Sequence, residues 1–183
     1  RFDLSIQRSM AAELLDHLYQ QVVDGLREVV VDAGGEANQG ASLADLVEKN
    51  QAITEGAFVV DASHLASVVR ISRMLQSPDQ ISKAYQLSQY GNCLPRDFQY
   101  AGQPPFEDTY QDHLHYFGAI LGKDVGASVA HFRAKADQSD AAMHGPVAIE
   151  TLVELLVRAG RGDEALTVMT EQLLGQHAPL GIA

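Results

Sequence analysis

PVAIETLVELLVRAGRGDEALTVMTEQLL, residues 146–174, is the stretch on which the fold turns. Ile149, Leu152, Val153, Leu156 and Ala159 fall on one side of an α-helix. Ala165, Leu166, Met169 and Leu173 fall on one side of the next. Between them lie Gly160, Arg161, Gly162 and Asp163. Gly160 can take the left-handed backbone that ends a helix, and Asp163 with Glu164 suits the positive end of the following helix dipole. Two apolar stripes joined by so short a turn must fold onto each other, which predicts a helical hairpin.

The pattern recurs upstream. Tyr110, Leu114, Phe117, Gly118 and Leu121 form a stripe, then come Gly122, Lys123 and Asp124, then Val125, Val129, Phe132 and Ala136. Leu121-Gly122-Lys123 returns 38 residues later as Ala159-Gly160-Arg161. A third, more divergent copy has Leu65, Val68, Val69, Ser72 and Leu75 before Ser77-Pro78-Asp79, followed by Ile81, Ala84 and Tyr85, with Ser88 where an apolar residue is expected. Ser77 and Pro78 suit the cap and first residue of its second helix. The interval between Leu75 and Leu121 is 46 residues, so the period is irregular.

Intervals of this size belong to helical arrays. The last hairpin resembles the tetratricopeptide and pentatricopeptide superfamily, through Leu152, Leu156, Gly160, Ala165 and Met169 at that family's spacing of large, large, small, small and large positions. It departs at Gln172, where a small residue is wanted, at Ile149, where an aromatic is wanted, and at His177, which replaces the closing proline. The resemblance implies a right-handed stack of hairpins that binds a protein or peptide in a groove.

Upstream of the hairpins, Leu4, Ala11, Leu14, Leu15, Leu18, Val22 and Val29 predict a long helix from about Asp3 to Val31, weakened or kinked at Gly25. Asp32 to Ser42, with three glycines, reads as a loop, and Ser42 caps a short helix running to about Ala52. The runs Val29-Val30-Val31-Asp32 and Phe58-Val59-Val60-Asp61 leave an alternative open, a small α/β unit in the first 60 residues with Asp32-Ala33-Gly34-Gly35 near a phosphate. Asp61 serves equally well as the cap of the helix containing Leu65.

With 13 basic and 24 acidic residues the net charge is -11, and the basic residues are scattered from Arg8 through Lys83 to Arg161. Such a chain repels phosphate backbones, so nucleic acid is not an expected partner. No apolar run approaches the roughly 20 residues that span a bilayer, and no signal-peptide pattern precedes the first helix. A start at Arg1 instead of methionine fits a segment of a longer protein. The single Cys93 cannot form an internal disulfide, which agrees with a cytoplasmic setting.

Candidate chemistry is sparse. Ser63 and His64 are adjacent and diverge on a helix, while Cys93 has no basic neighbour before Arg96 to activate it. Among seven histidines, His113 and His115 are the densest pair, and Asp108, Asp112 and His115 share one helical flank as metal ligands do. His131 would complete a set. At about 100° per residue, however, it lies about 200° from Val129 and is expected to point away from the helix bearing His115. No cofactor and no catalytic residue are expected on these grounds. The irregular stretch 92–107, carrying Pro95, Phe98, Tyr100, Gly102, Pro104, Pro105 and Phe106, either plugs the core or borders a groove.

The reading is therefore a single all-α domain over 1–183, a short α-solenoid with a long helix, glycine-rich loop and short helix over 1–60 and three hairpins over 61–183. Its expected function is a protein or peptide binding scaffold, the partner being another protein or another part of its own chain. Positions off the packed stripes, Arg73, His113, Tyr116 and Glu154, are the candidate contacts. The alternative is an enzyme or small-ligand domain, with its pocket around His113, His115, His131 and the 92–107 loop.

Overall fold

The computed structural model describes residues 3–99, 108–137 and 141–176, with the side chains of 141–147 and 172–176 left aside. Nine α-helices are found among the described residues and no strand: α1 Leu4–Asp32, α2 Leu43–Lys49, α3 Gln51–Thr54, α4 Ala62–Ile71, α5 Pro78–Asn92, α6 Tyr110–Ile120, α7 Val125–Ala136, α8 Ala141–Arg158 and α9 Gly162–Gln176. The fold is all-α. None of the described helices is long and apolar enough to cross a membrane.

Helix α1 forms because an apolar residue recurs at each turn and Asp3 caps its start, accepting from the Ser5 N–H at 2.9 Å. It buries Ala11, Leu15, Leu18, Val22, Leu26 and Val30. Helices α2, α4 and α5 pack against it and cover that stripe. Gly25 lies within the helix, and its role is close approach: a Cβ built there would stand 2.8 Å from the Val59 Cβ. Helix α2 starts with a capping box, in which Ser42 and Asp45 each bond the other's backbone N–H.

The α/β alternative is not supported. Val29–Asp32 is the last turn of α1, closed by Gly34 at φ +76° and by the Gly35 N–H bonded to the Val30 carbonyl at 2.8 Å. This is a left-handed helix ending, not a phosphate loop after a strand. Residues 58–61 are irregular. The Tyr90 hydroxyl takes up their backbone needs, donating to the Ala57 carbonyl at 2.6 Å and accepting from the Val59 N–H at 3.2 Å. Asp61 then caps α4, accepting from the His64 N–H.

Pairs α4/α5, α6/α7 and α8/α9 pack as consecutive helices, and α5 against α6 and α7 against α8 join one pair to the next. The two glycine turns close in the same way. Gly122 and Gly160 have φ of +76° and +72°, and the residue after each, Lys123 or Arg161, donates its N–H to Gly118 or Leu156 at 2.8 Å. In the first pair, Ser88 is buried and satisfies itself by donating to the Ala84 carbonyl at 2.8 Å, so the stripe continues through a polar residue. Helix α9 differs from expectation. It buries Ala165, as the expected stripe requires, but Val168 is buried beside it while Leu166 is 64 % and Met169 46 % exposed.

Of the stretch 92–107, residues 92–99 are described. They form a short 3-10 turn at Arg96–Phe98, with the Phe98 ring edge-on to Phe58 at 4.9 Å. Tyr100, Gly102, Pro104, Pro105 and Phe106 lie outside the described residues.

Candidate functional site

The densest group of ionisable side chains is built on α6. Thr109 caps it, accepting from the Asp112 N–H, and Asp112 Oδ2 in return accepts from the Thr109 N–H at 2.7 Å. Asp112 is thereby pinned at the α6–α7 boundary, buried, with two further donors on its carboxylate. His131 Nε2 stands 2.8 Å from Oδ1, and Lys135 Nζ donates to Oδ2 at 2.5 Å. Its carboxyl is held well below the usual carboxylate range: burial opposes this, but the His131 bond, the Lys135 charge and the Thr109 bond outweigh burial.

This overturns the expectation that His131 points away from His115. Helix α7 packs against both α6 and α8, and its flank Ser128, His131, Lys135, at spacings of three and four, is the one that meets α6. The His115 and His131 rings stack with centroids 4.0 Å apart and planes at 19°. Burial and the neighbouring His131 lower the pKa of His115. Two stacked imidazoles hold their in-plane nitrogen lone pairs side by side, not converging on one ion. Among the described residues no group of three His, Cys, Asp or Glu side chains is placed to hold a metal. The set Asp108, Asp112 and His115 is thus divided between an ion-pair cluster and a ring stack.

A second cluster extends from the same helix. Arg73, in the turn that joins α4 to α5, lies with Nη1 3.5 Å from Asp108 Oδ2, donates from Nη2 to Thr151 Oγ1 on α8 at 2.6 Å, and covers the Tyr116 ring at 4.3 Å. The Tyr116 hydroxyl donates to Glu154 Oε1 at 2.8 Å, and Glu154 also accepts from Arg158. Burial, with Glu154 beside it, pushes the Tyr116 phenol up to about 12. Burial likewise raises the Asp108 carboxyl, against the opposing pull of Arg73. Three of the four candidate contacts, Arg73, Tyr116 and Glu154, therefore belong to one network spanning three helix pairs.

The fourth, His113, stands apart. It is 1 % exposed, and neither ring nitrogen has a hydrogen-bond partner among the described residues. Burial, then the Arg73 charge, lowers its pKa to about 3, so the ring is neutral at ordinary pH. His113 and Tyr116 are interior residues, because α6 is covered by α5, α7 and α8 and keeps little free face. The contributions of Thr151, Ser128 and Lys135 were not anticipated. The repeated three-and-four spacing of Ser128, His131 and Lys135, matching Asp108, Asp112 and His115, is the signal that could have paired the two flanks.

Nothing in either cluster assembles a nucleophile. Cys93 is half-buried, its thiol donates to the Gln89 carbonyl at 3.4 Å, and burial followed by Glu55 pushes its pKa up. Open concave surfaces lie elsewhere, one of about 470 Å³ lined by Phe58, Val60, Asp61, Ala62, Ser63 and Phe98. A groove of about 480 Å³ runs between the α6–α7 elbow and the end of α8, lined by Ala119, Ile120, Gly122, Val125, Leu155, Arg158 and Ala159. A comparison of the chain with protein-family models, with curated proteins and with solved structures finds no match.

Proposed function

We propose that the chain is a helical-hairpin scaffold that holds a protein or peptide segment in the groove between its second and third helix pairs. The observation that carries the reading is the groove itself. It is open and mostly apolar, and among the described residues Arg158 is its one charged lining residue. Its walls are fixed on both sides by the matching glycine closures at Gly122 and Gly160. A concave surface with aliphatic walls and few polar groups suits an apolar side chain of a partner better than it suits a reaction. The likeness of residues 146–174 to the tetratricopeptide and pentatricopeptide pattern supports the same reading, since such arrays act through surfaces shared by successive hairpins. The interhelix network around Arg73 and Tyr116 then serves to hold the groove's walls in register.

The enzyme or small-ligand alternative draws on His113 and His115. It has less support, since the acids and bases around them are occupied with one another. The test is panning of a random peptide library against the tagged chain, followed by fluorescence polarisation of the enriched sequences. Ala159→Glu places a charge on an exposed wall of the groove and is expected to weaken the selected peptides by about tenfold or more, the loss expected when a charge is buried unpaired. Failure to enrich any peptide, or binding indifferent to Ala159→Glu and to Ile120→Glu, would sink the reading.

A further inference from the structure

His115 and His131 do something in this fold that neither scaffold nor core requires. Two imidazoles from consecutive helices lie face to face at 4.0 Å, and this stack, with the Asp112 cluster beside it, is the polar part of the α6–α7 contact. The site has room for one positive ring. His131 Nε2 stands 2.8 Å from Asp112 Oδ1. Among the described residues, His115 has no carboxylate bonded to it. Its Nδ1 is 3.4 Å from Ser128 Oγ and its Nε2 is 3.3 Å from the Gln111 amide nitrogen, both neutral groups. A proton on His115 as well would set two parallel cations at van der Waals separation, and like charges that close cannot both persist in a partly dry contact.

We propose that the His115–His131 stack is an acid-released latch: with at most one ring charged it holds α6 against α7, and charging both parts the rings and loosens the second hairpin.

The surroundings bear this out from each side. On α6, Asp112 is already shared by His131, Lys135 and Thr109, and none of its bonds goes to His115. On α7, Lys135 adds positive charge to the same cluster. At the elbow, Asp124 is engaged in capping α7 by accepting from the Ala127 N–H, and Lys123 lies over the Tyr85 ring that α5 presents. On the α8 side, Glu154 and Arg158 pair with each other, and Glu154 receives the Tyr116 hydroxyl. The charges acting on His115 are thus His131 against its protonation, and Asp112 and Asp124 in favour, with burial and His131 the larger effects. The folded value is lowered below that of the unfolded chain. The latch is therefore closed above the ordinary histidine range and is lost as pH falls below it.

Proton and carbon NMR of the whole chain reads the latch directly. At about pH 7.5 a ring-to-ring nuclear Overhauser contact between His115 and His131 is expected, and at about pH 5 it should vanish while both Cε1 signals report imidazolium. Over the same interval, hydrogen-exchange protection of the α7 amides, corrected for intrinsic rates, should fall by about tenfold, as expected when one local unit opens while the rest of the chain stays closed. His115→Gln keeps a polar neighbour for Ser128 and removes the second charge, and its α7 protection should be flat with pH. Rings that stay in contact when both are charged would overturn the proposal in the native chain, even if the variant fails to fold. So would acid opening that is unchanged in His115→Gln, or that exposes all helices together, an outcome that points to His113 instead.

Discussion

His113 shows most plainly how one residue sets a pH limit. Its ring is interior and its folded pKa, about 3, lies below the roughly 6.5 of an unfolded histidine, so the unfolded chain binds the proton first. The stability it allows is full above about pH 6.5 and declines as pH falls toward the folded value. His113→Leu is expected to leave stability at neutral pH unchanged or raise it by about 1 kcal/mol, since a buried polar ring without partners gives way to an apolar one. At about pH 4 the variant should outlast the parent by a wider margin, which urea titrations at the two pH values would compare. Asp112 differs in that its buried charge is paired. It is the shared acceptor for His131, Lys135 and Thr109, and Asp112→Asn leaves a lysine and a histidine facing a neutral amide. A loss of about 3 kcal/mol is expected in the same titration, in the range for breaking a buried ion pair.

Among the elements, the turns and caps follow rules that the local sequence carries. Gly122 and Gly160 hold left-handed backbone with nothing near where a Cβ would sit, so Gly122→Ala and Gly160→Ala should each cost about 1–2 kcal/mol through backbone strain alone. Gly91 is different in kind. Its backbone is ordinary, but a Cβ would come within 2.5 Å of the Tyr110 ring, so Gly91→Ala must displace α6 from α5. Its destabilisation should exceed that of either turn glycine, and thermal melts of the three variants side by side test the ordering. The stripes of α1 and α8 were legible because each has a dominant covered side. That of α9 was not, since Ala165 and Val168, the smaller residues, are the buried ones, while Leu166 and Met169 face outward. Periodicity alone favoured the larger side chains, and contact with α8 selected the smaller.

At the scale of the whole molecule, the ionisable residues sit where three helix pairs meet, and the groove sits where two of them part. Arg73 reaches from the first pair across Tyr116 of the second to Thr151 of the third. Its removal should therefore be felt in the groove some distance away. Arg73→Met is expected to lower the melting temperature and to weaken groove-selected peptides, whereas Arg158→Gln, at the groove itself, should weaken peptides with little change in melting. A melt that is unaffected by Arg73→Met would show that the network does not hold the pairs together.

The sequence by itself determined the helices, their caps and their reversals, because these depend on neighbours within a few residues: Ser42 and Asp61 as caps, Gly122 and Gly160 as closures, and an apolar residue at each turn. It also carried the 38-residue recurrence that pairs the second hairpin with the third. Only the tertiary structure decided that His131 turns toward His115 and that His113 and Tyr116 lie inside. Each of those depends on how many neighbours a helix has. A helix with one neighbour hides one stripe and shows the rest, as a helical wheel assumes. Helix α7 has two large neighbours and α6 has three, so flanks that read as polar surface along the chain become the contacts between pairs, and their charges must find one another there.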